Sequence, residues 1–184
     1  MQGPYFALVP VVGVVILACW LLSVVTRNYS WVDRVWSIAP PGYVVYVAGA
    51  AGFADPRLNL MAVLCGLWGA RLTYNFARKG GYRLDGEDYR WGVLLRILGP
   101  RWFPAFNATF IASYQNVLIF LLTAPVHVAW EQRGTPLGPL DAALAGLFVL
   151  LLAGETLADQ QQWDFHRRKR AAADRGEAID PPFC

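Results

Sequence analysis

Tyr5-Phe-Ala-Leu-Val-Pro-Val-Val-Gly-Val-Val-Ile-Leu-Ala-Cys-Trp-Leu-Leu-Ser-Val-Val25 is the stretch that decides what kind of protein this is. It carries no charge, and a helix of about 20 apolar residues crosses roughly 30 Å of hydrocarbon. A secretory signal would place basic residues before a shorter apolar core. Here nothing basic precedes the run, and Arg27 and Arg34 follow it. The pattern predicts a retained first membrane span over residues 5–25.

The rest of the chain repeats the theme. Of its 184 residues 56% are hydrophobic and only 16% charged, where a soluble domain averages about 45–50% and about 25%. Further apolar runs cover about 35–54, 58–78, 103–128 and 137–165, the last continuing as a helix to about Ala173. The expected fold is all-α: a polytopic transmembrane bundle of about five spans in one domain, residues 1–170. Pro40, Pro41 and Gly42 sit near the start of the second run, and a proline pair there predicts a bent span whose freed carbonyls are covered by neighbouring helices. Gly134 to Pro139 is a breaker-rich loop before the last run. No repeat, linker or second domain is visible.

Orientation follows from Lys and Arg. With the N-terminus outside and the C-terminus cytoplasmic, only Arg57 and Arg133 of the 16 basic residues fall outside. The net charge of +3 therefore reflects orientation in a bilayer, and no nucleic-acid partner is expected. The basic run Arg167-Arg-Lys-Arg170 reads as an anchor on anionic lipid. Cys19 and Cys65 lie within spans and act as small apolar residues. His127 and His166 fall on opposite sides, so no metal centre is expected.

Polar residues that interrupt the apolar pattern are the functional candidates. Asp33, in Asn28-Tyr-Ser-Trp-Val-Asp-Arg-Val-Trp-Ser37, lies at the inner end of the second run. An acid at that depth marks a functional site by default; equally, Trp31 and Trp36 could be interfacial belt residues with Asp33 facing headgroups. Arg71, Tyr74, Asn75 and Arg78 fall on one helical face. Two guanidiniums with a phenol and an amide suit a phosphate-bearing ligand, although Arg78 could instead snorkel to the interface. Glu87, Asp88 and Arg90 open a short amphipathic segment, Tyr89 to Leu98, whose N-terminus the acids would favour. Gln115 and Asn116 suit hydrogen bonds between helices or a substrate contact. Glu155, Asp159 and Gln162 form a last polar stripe, able to accept from a ligand or to pair with Arg71 or Arg78.

Three stretches together resemble the steroid 5-alpha-reductase-like membrane protein family, in its bacterial branch of unknown function. They are Asp33-x-x-Trp36-Ser37, then Leu67-Trp-Gly-Ala-Arg-Leu72 with Arg78 and Glu87-Asp-Tyr-Arg90, then Gly154-Glu-Thr-Leu-Ala-Asp-Gln-Gln161 with Phe165. The resemblance runs from about Asn28 onward and implies a bacterial cytoplasmic-membrane enzyme. It would use NADPH to reduce a carbon–carbon double bond conjugated to a carbonyl in a lipophilic, steroid-like or isoprenoid substrate. By resemblance, Asp33 is the acid that polarises the substrate carbonyl, Arg71 and Arg78 bind the cofactor, and Asp159 and Glu155 contact its nicotinamide end. Trp36, Trp68 and Gln115 are candidate substrate contacts.

Two departures shape the expectation. Trp68 stands where steroid-reducing members of the family carry a tyrosine about one turn before the arginine, which argues against a steroid. The family also continues with an Arg-Tyr-x-Arg-His-Pro-Asn-Tyr segment and further helices, which supply much of the NADPH site. This sequence stops at Ile179-Asp-Pro-Pro-Phe-Cys184, about where that segment should begin. The polar stretch 171–184 is thus expected to be the start of a missing part, and the chain alone an inactive fragment. The alternatives are a membrane methyltransferase of the isoprenylcysteine type using S-adenosylmethionine, or a non-catalytic membrane scaffold.

Overall fold

The computed structural model describes residues 3–176, which form helices and their connections. Cα packing divides the chain into two units that meet at Asp141 and Ala142. In the first unit a short 3₁₀ turn (Phe6–Leu8) leads into α1 (Val9–Thr26). Pro10 lies in the first turn of α1, where its missing N–H costs no bond. The helix is apolar all round, as a lipid-facing helix should be. Only one strip is buried, through Leu8, Val12, Cys19 and Ser23. The helix ends at Arg27, which takes the left-handed backbone conformation (φ +51°) more usual for glycine.

The second apolar run departs from expectation. It divides into α2 (Trp31–Val35) and α3 (Ala39–Ala50). Pro40 and Pro41 start α3 instead of bending a longer helix, because proline fits the first turn and breaks an interior. The 12 residues of α3 reach only about 18 Å, too short to cross hydrocarbon. Tyr43, Val44, Val47 and Ala48 instead fill the core with Leu58, Phe120 and Val126. Next, α4 (Pro56–Arg78) is long enough to span, at 23 residues, but it carries Arg57, Asn59, Arg71, Asn75 and Arg78. Gly69 is where it meets α3: a side chain there would collide with the Pro41 ring and the Ser37 carbonyl.

From Tyr89 to Glu131 the chain is almost continuously helical. The amphipathic segment expected over Tyr89–Leu98 forms the first half of α5 (Tyr89–Phe106). It stops at Gly99, whose φ of +74° breaks the helix before Pro100. Beyond Pro104 the backbone widens into a π-helical stretch, Asn107–Tyr114. It then narrows into α6 (Gln115–Leu121), and α7 (Pro125–Glu131) follows. Asn107 donates to Ser23 Oγ (2.8 Å) and so joins the π stretch to α1. Asn116, the expected bridging amide, donates to the Ala112 carbonyl of its own segment and also meets the Cys19 thiol of α1.

The second unit holds the body of α8 (Pro139–Asp174), one helix of 36 residues. It runs past the expected span and ends close to the expected helix end near Ala173; residues 177–184 lie outside the described region. Three helical stretches, Phe6–Thr26, Tyr89–Glu131 and Pro139–Asp174, are long and apolar enough to cross a membrane.

Candidate functional site

The sequence Asn28 to Ser37 is folded as a polar brace against the loop before α5. Asn28 begins an Asx turn, its Oδ1 accepting from Ser30 N (3.0 Å), and its Nδ2 donates to the carbonyls of Gly86 (2.9 Å) and Leu84 (3.2 Å). Ser30 Oγ accepts from Asp88 N (2.9 Å), and Glu87 Oε1 accepts from Tyr29 N (2.6 Å). Arg34 is only 6% exposed. Its Nη2 donates to the carbonyls of Arg83 (2.9 Å) and Gly86 (3.0 Å), and its guanidinium lies 4.7 Å from the Trp31 ring. A buried cation is tolerated only with such partners.

This brace holds Asp33 in place. The residue sits half-buried in the first turn of α2, and its Oδ2 accepts from the indole N–H of Trp91 (3.1 Å). Trp91 is buried beside Val32, Phe103 and Ile111. Asp88 caps α5 by accepting from Arg90 N (2.9 Å). The Arg90 guanidinium grips the Asp88 carboxylate and holds it below the usual aspartate range. Of the Glu87-Asp88 pair, Asp88 caps this N-terminus with its carboxylate, while Glu87 fastens the preceding loop to Tyr29.

Further along, the motif packs against α4. The Trp36 and Trp68 rings meet edge-to-face at 6.2 Å, and Ser37 Oγ lies 2.8 Å from Thr73 Oγ1. The expected substrate contacts Trp36 and Trp68 are thus brought together, with Arg71 on the same helix as Trp68 and Thr73. Arg78 donates to Asn75 Oδ1 (2.8 Å) and stands 5.5 Å from the Tyr74 ring, so the predicted stripe is a connected face. Gln115 opens α6 and is half-buried; among the described residues its side chain makes no hydrogen bond to this group. In the second unit Glu155 and Asp159 lie one turn apart on α8, the first exposed and the second half-buried.

Sequence reading missed three of these residues. Arg34 was counted only as an inner-side charge, and Asn28 and Trp91 only as parts of motifs. Asn28 two residues before Ser30 is an Asx-turn signature, and it precedes a buried guanidinium that needs carbonyl acceptors. A second group was missed entirely. Asp55 caps α4, accepting from Arg57 N (3.0 Å) and Leu58 N (2.9 Å), and its other oxygen accepts from Gly134 N (2.8 Å). Arg57 then grips Asp141 with two bonds, at 2.8 and 2.9 Å.

An all-helical chain with three membrane-length helices and a braced acidic motif beside a helix bearing arginines is a membrane protein. Its family is shown directly: the chain belongs to the family described as "Protein of unknown function (DUF1295)", which matches residues 19–181. It is also 39% identical over 155 residues to an uncharacterized protein of the fission yeast Schizosaccharomyces pombe. That match covers 82% of this chain and 45% of the relative, so the chain spans under half of the relative's length. The relative is from a yeast, which lends no support to the expected bacterial membrane. No solved structure matches the chain.

Proposed function

We propose that the chain forms part of a membrane-embedded, NADPH-dependent reductase of the steroid 5-alpha-reductase-like type. It would act on a carbon–carbon double bond conjugated to a carbonyl in a lipophilic molecule. The observation that carries the reading is the junction of the two motifs: Trp36 against Trp68, and Ser37 beside Thr73, set the acid-bearing segment on the helix that carries Arg71. Five spans with the arginine-rich side in the cytoplasm belong to this proposal, with α2 and α3 in succession as the second span and α4 as the third.

The donor set of α4 fits a phosphate-bearing cofactor. Arg71 and Arg78 offer planar guanidiniums suited to phosphate oxygens, and Asn75 orients Arg78. Bound NADPH would supply the hydride. This chain's own residues would do the rest. With Oδ2 held by Trp91, Asp33 would turn Oδ1 toward a substrate carbonyl and serve as the general acid for its oxygen. Trp36 and Trp68 offer an apolar wall for the substrate body.

Alone, the chain is expected to reduce little or no enone, so nucleotide binding and enone reduction are tested in membranes that carry it completed to the length of its relative. NADPH binding lost in Arg71→Ala and retained in Asp33→Asn supports it, as does hydride transfer that falls by about 100-fold or more in Asp33→Asn. Binding of S-adenosylmethionine in place of NADPH would sink it and favour the methyltransferase reading. Binding of neither would favour a scaffold.

A further inference from the structure

The first half of α5 is apolar on two opposite faces. Trp91, Leu94, Leu95 and Leu98 pack inward with Val32 and Phe103. On the opposite side Tyr89 (80% exposed), Val93 (37%) and Ile97 (72%) form an i, i+4, i+8 stripe left open among the described residues. At 100° per residue, Arg96 lies along one edge of that stripe and Arg90 along the other. Arg90 is taken up by Asp88. Among the described residues Arg96 has no carboxylate within ion-pair distance, and Arg101 rests its guanidinium 5.7 Å from the Trp102 ring. No acidic residue occurs between Tyr89 and Trp130.

A helix so patterned is out of place in water, which would wet Tyr89, Val93 and Ile97. It is equally out of place in hydrocarbon, where Arg96 and Arg101 would be costly. Gly99 resolves the conflict: its left-handed φ turns the chain between Leu98 and Pro100, so this helix need not share the axis of the apolar segment that follows Trp102. We propose that residues 89–101 form an interfacial element whose outward stripe sits at the headgroup boundary, with Arg96 and Arg101 binding anionic phospholipid. The stripe supplies the buried apolar area and the two arginines the charge complement, the combination that holds amphipathic helices at membrane surfaces. Crossing of the hydrocarbon then begins near Phe103.

Two measurements on the full chain test this. A nitroxide at Ile97→Cys, with Cys19, Cys65 and Cys184 replaced by Ala, should collide with oxygen far more than with a water-soluble nickel chelate in phosphatidylglycerol vesicles. Native mass spectrometry should show phosphatidylglycerol retained over phosphatidylcholine. R96Q/R101Q should lower that retention by about fivefold for each arginine, and R96K/R101K should restore it. A label dominated by the chelate, or one immobilised by contact with a second copy, would overturn the proposal. So would unchanged phosphatidylglycerol retention in a folded R96Q/R101Q protein.

Discussion

Single side chains carry much of the organisation, and Asp55 shows how. It is 6% exposed, and burial alone would push its carboxyl up. The N–H groups of Gly134, Leu58 and Arg57, with the Arg57 charge, outweigh that and hold it below the ordinary aspartate range. A depressed folded value means the stabilisation is complete above the unfolded value of about 3.9 and is lost as pH falls through the lower, folded one. Asp55→Ala removes an N-cap and is expected to cost about 1–2 kcal/mol, read as a lower thermal midpoint at neutral pH. The difference from the parent should shrink on acidification below about pH 4; a constant difference would show that the charge is not what matters. Trp91→Phe deletes one N–H donor to Asp33 and keeps most of the packing. It should cost about 1 kcal/mol while lowering any Asp33-dependent reaction more strongly than it lowers stability.

At the scale of elements, close approach and breaks in the helices decide the architecture. Gly69→Ala would drive a methyl group into Pro41 and the Ser37 carbonyl and should destabilise by about 1–3 kcal/mol. Gly66→Ala, three residues earlier on the same helix with nothing within 4 Å of a new Cβ, should be neutral or slightly stabilising. The contrast, read by thermal unfolding in one detergent, isolates the helix contact from helix propensity. The same elements show what could be read in advance. The first and last long helices were legible because uninterrupted apolar length is an unambiguous signal. The second run was not, because its composition matched a span while Pro40 and Pro41 quietly set a helix start inside it. The π-helical stretch after Pro104 left no periodic signature, and with it came a second interhelical amide, Asn107, beside the expected Asn116.

For the whole first unit, the brace around Arg34 links the segment after α1 to the loop before α5. Arg34→Ala takes one charged donor each from the Arg83 and Gly86 carbonyls and from Asn28 Oδ1, all of which keep a second donor, and should cost about 2–3 kcal/mol. Limited proteolysis should then open residues 80–88 first. Arg34→Lys should rescue little, since one ammonium cannot copy a fork that reaches Asn28 and two carbonyls at once; full rescue would mean that charge alone suffices. The candidate site was legible in part for a related reason. Motif residues such as Asp33, Trp68 and Arg71 announce themselves by type, and the structure did bring Trp36 to Trp68. Their supports, Asn28, Arg34 and Trp91, come from distant stretches of sequence, and pairing across 50 or more residues leaves no local pattern to read.

The Arg57–Asp141 pair also has a history within each molecule. Its partners are 84 positions apart in the chain. At the usual pace of about 5–20 residues per second, a ribosome makes the aspartate several seconds after the arginine. Throughout that interval Arg57 has Asp55 beside it but lacks the two bonds that Asp141 supplies. Biogenesis of this protein therefore includes a waiting period, ended only when the last helix starts to emerge.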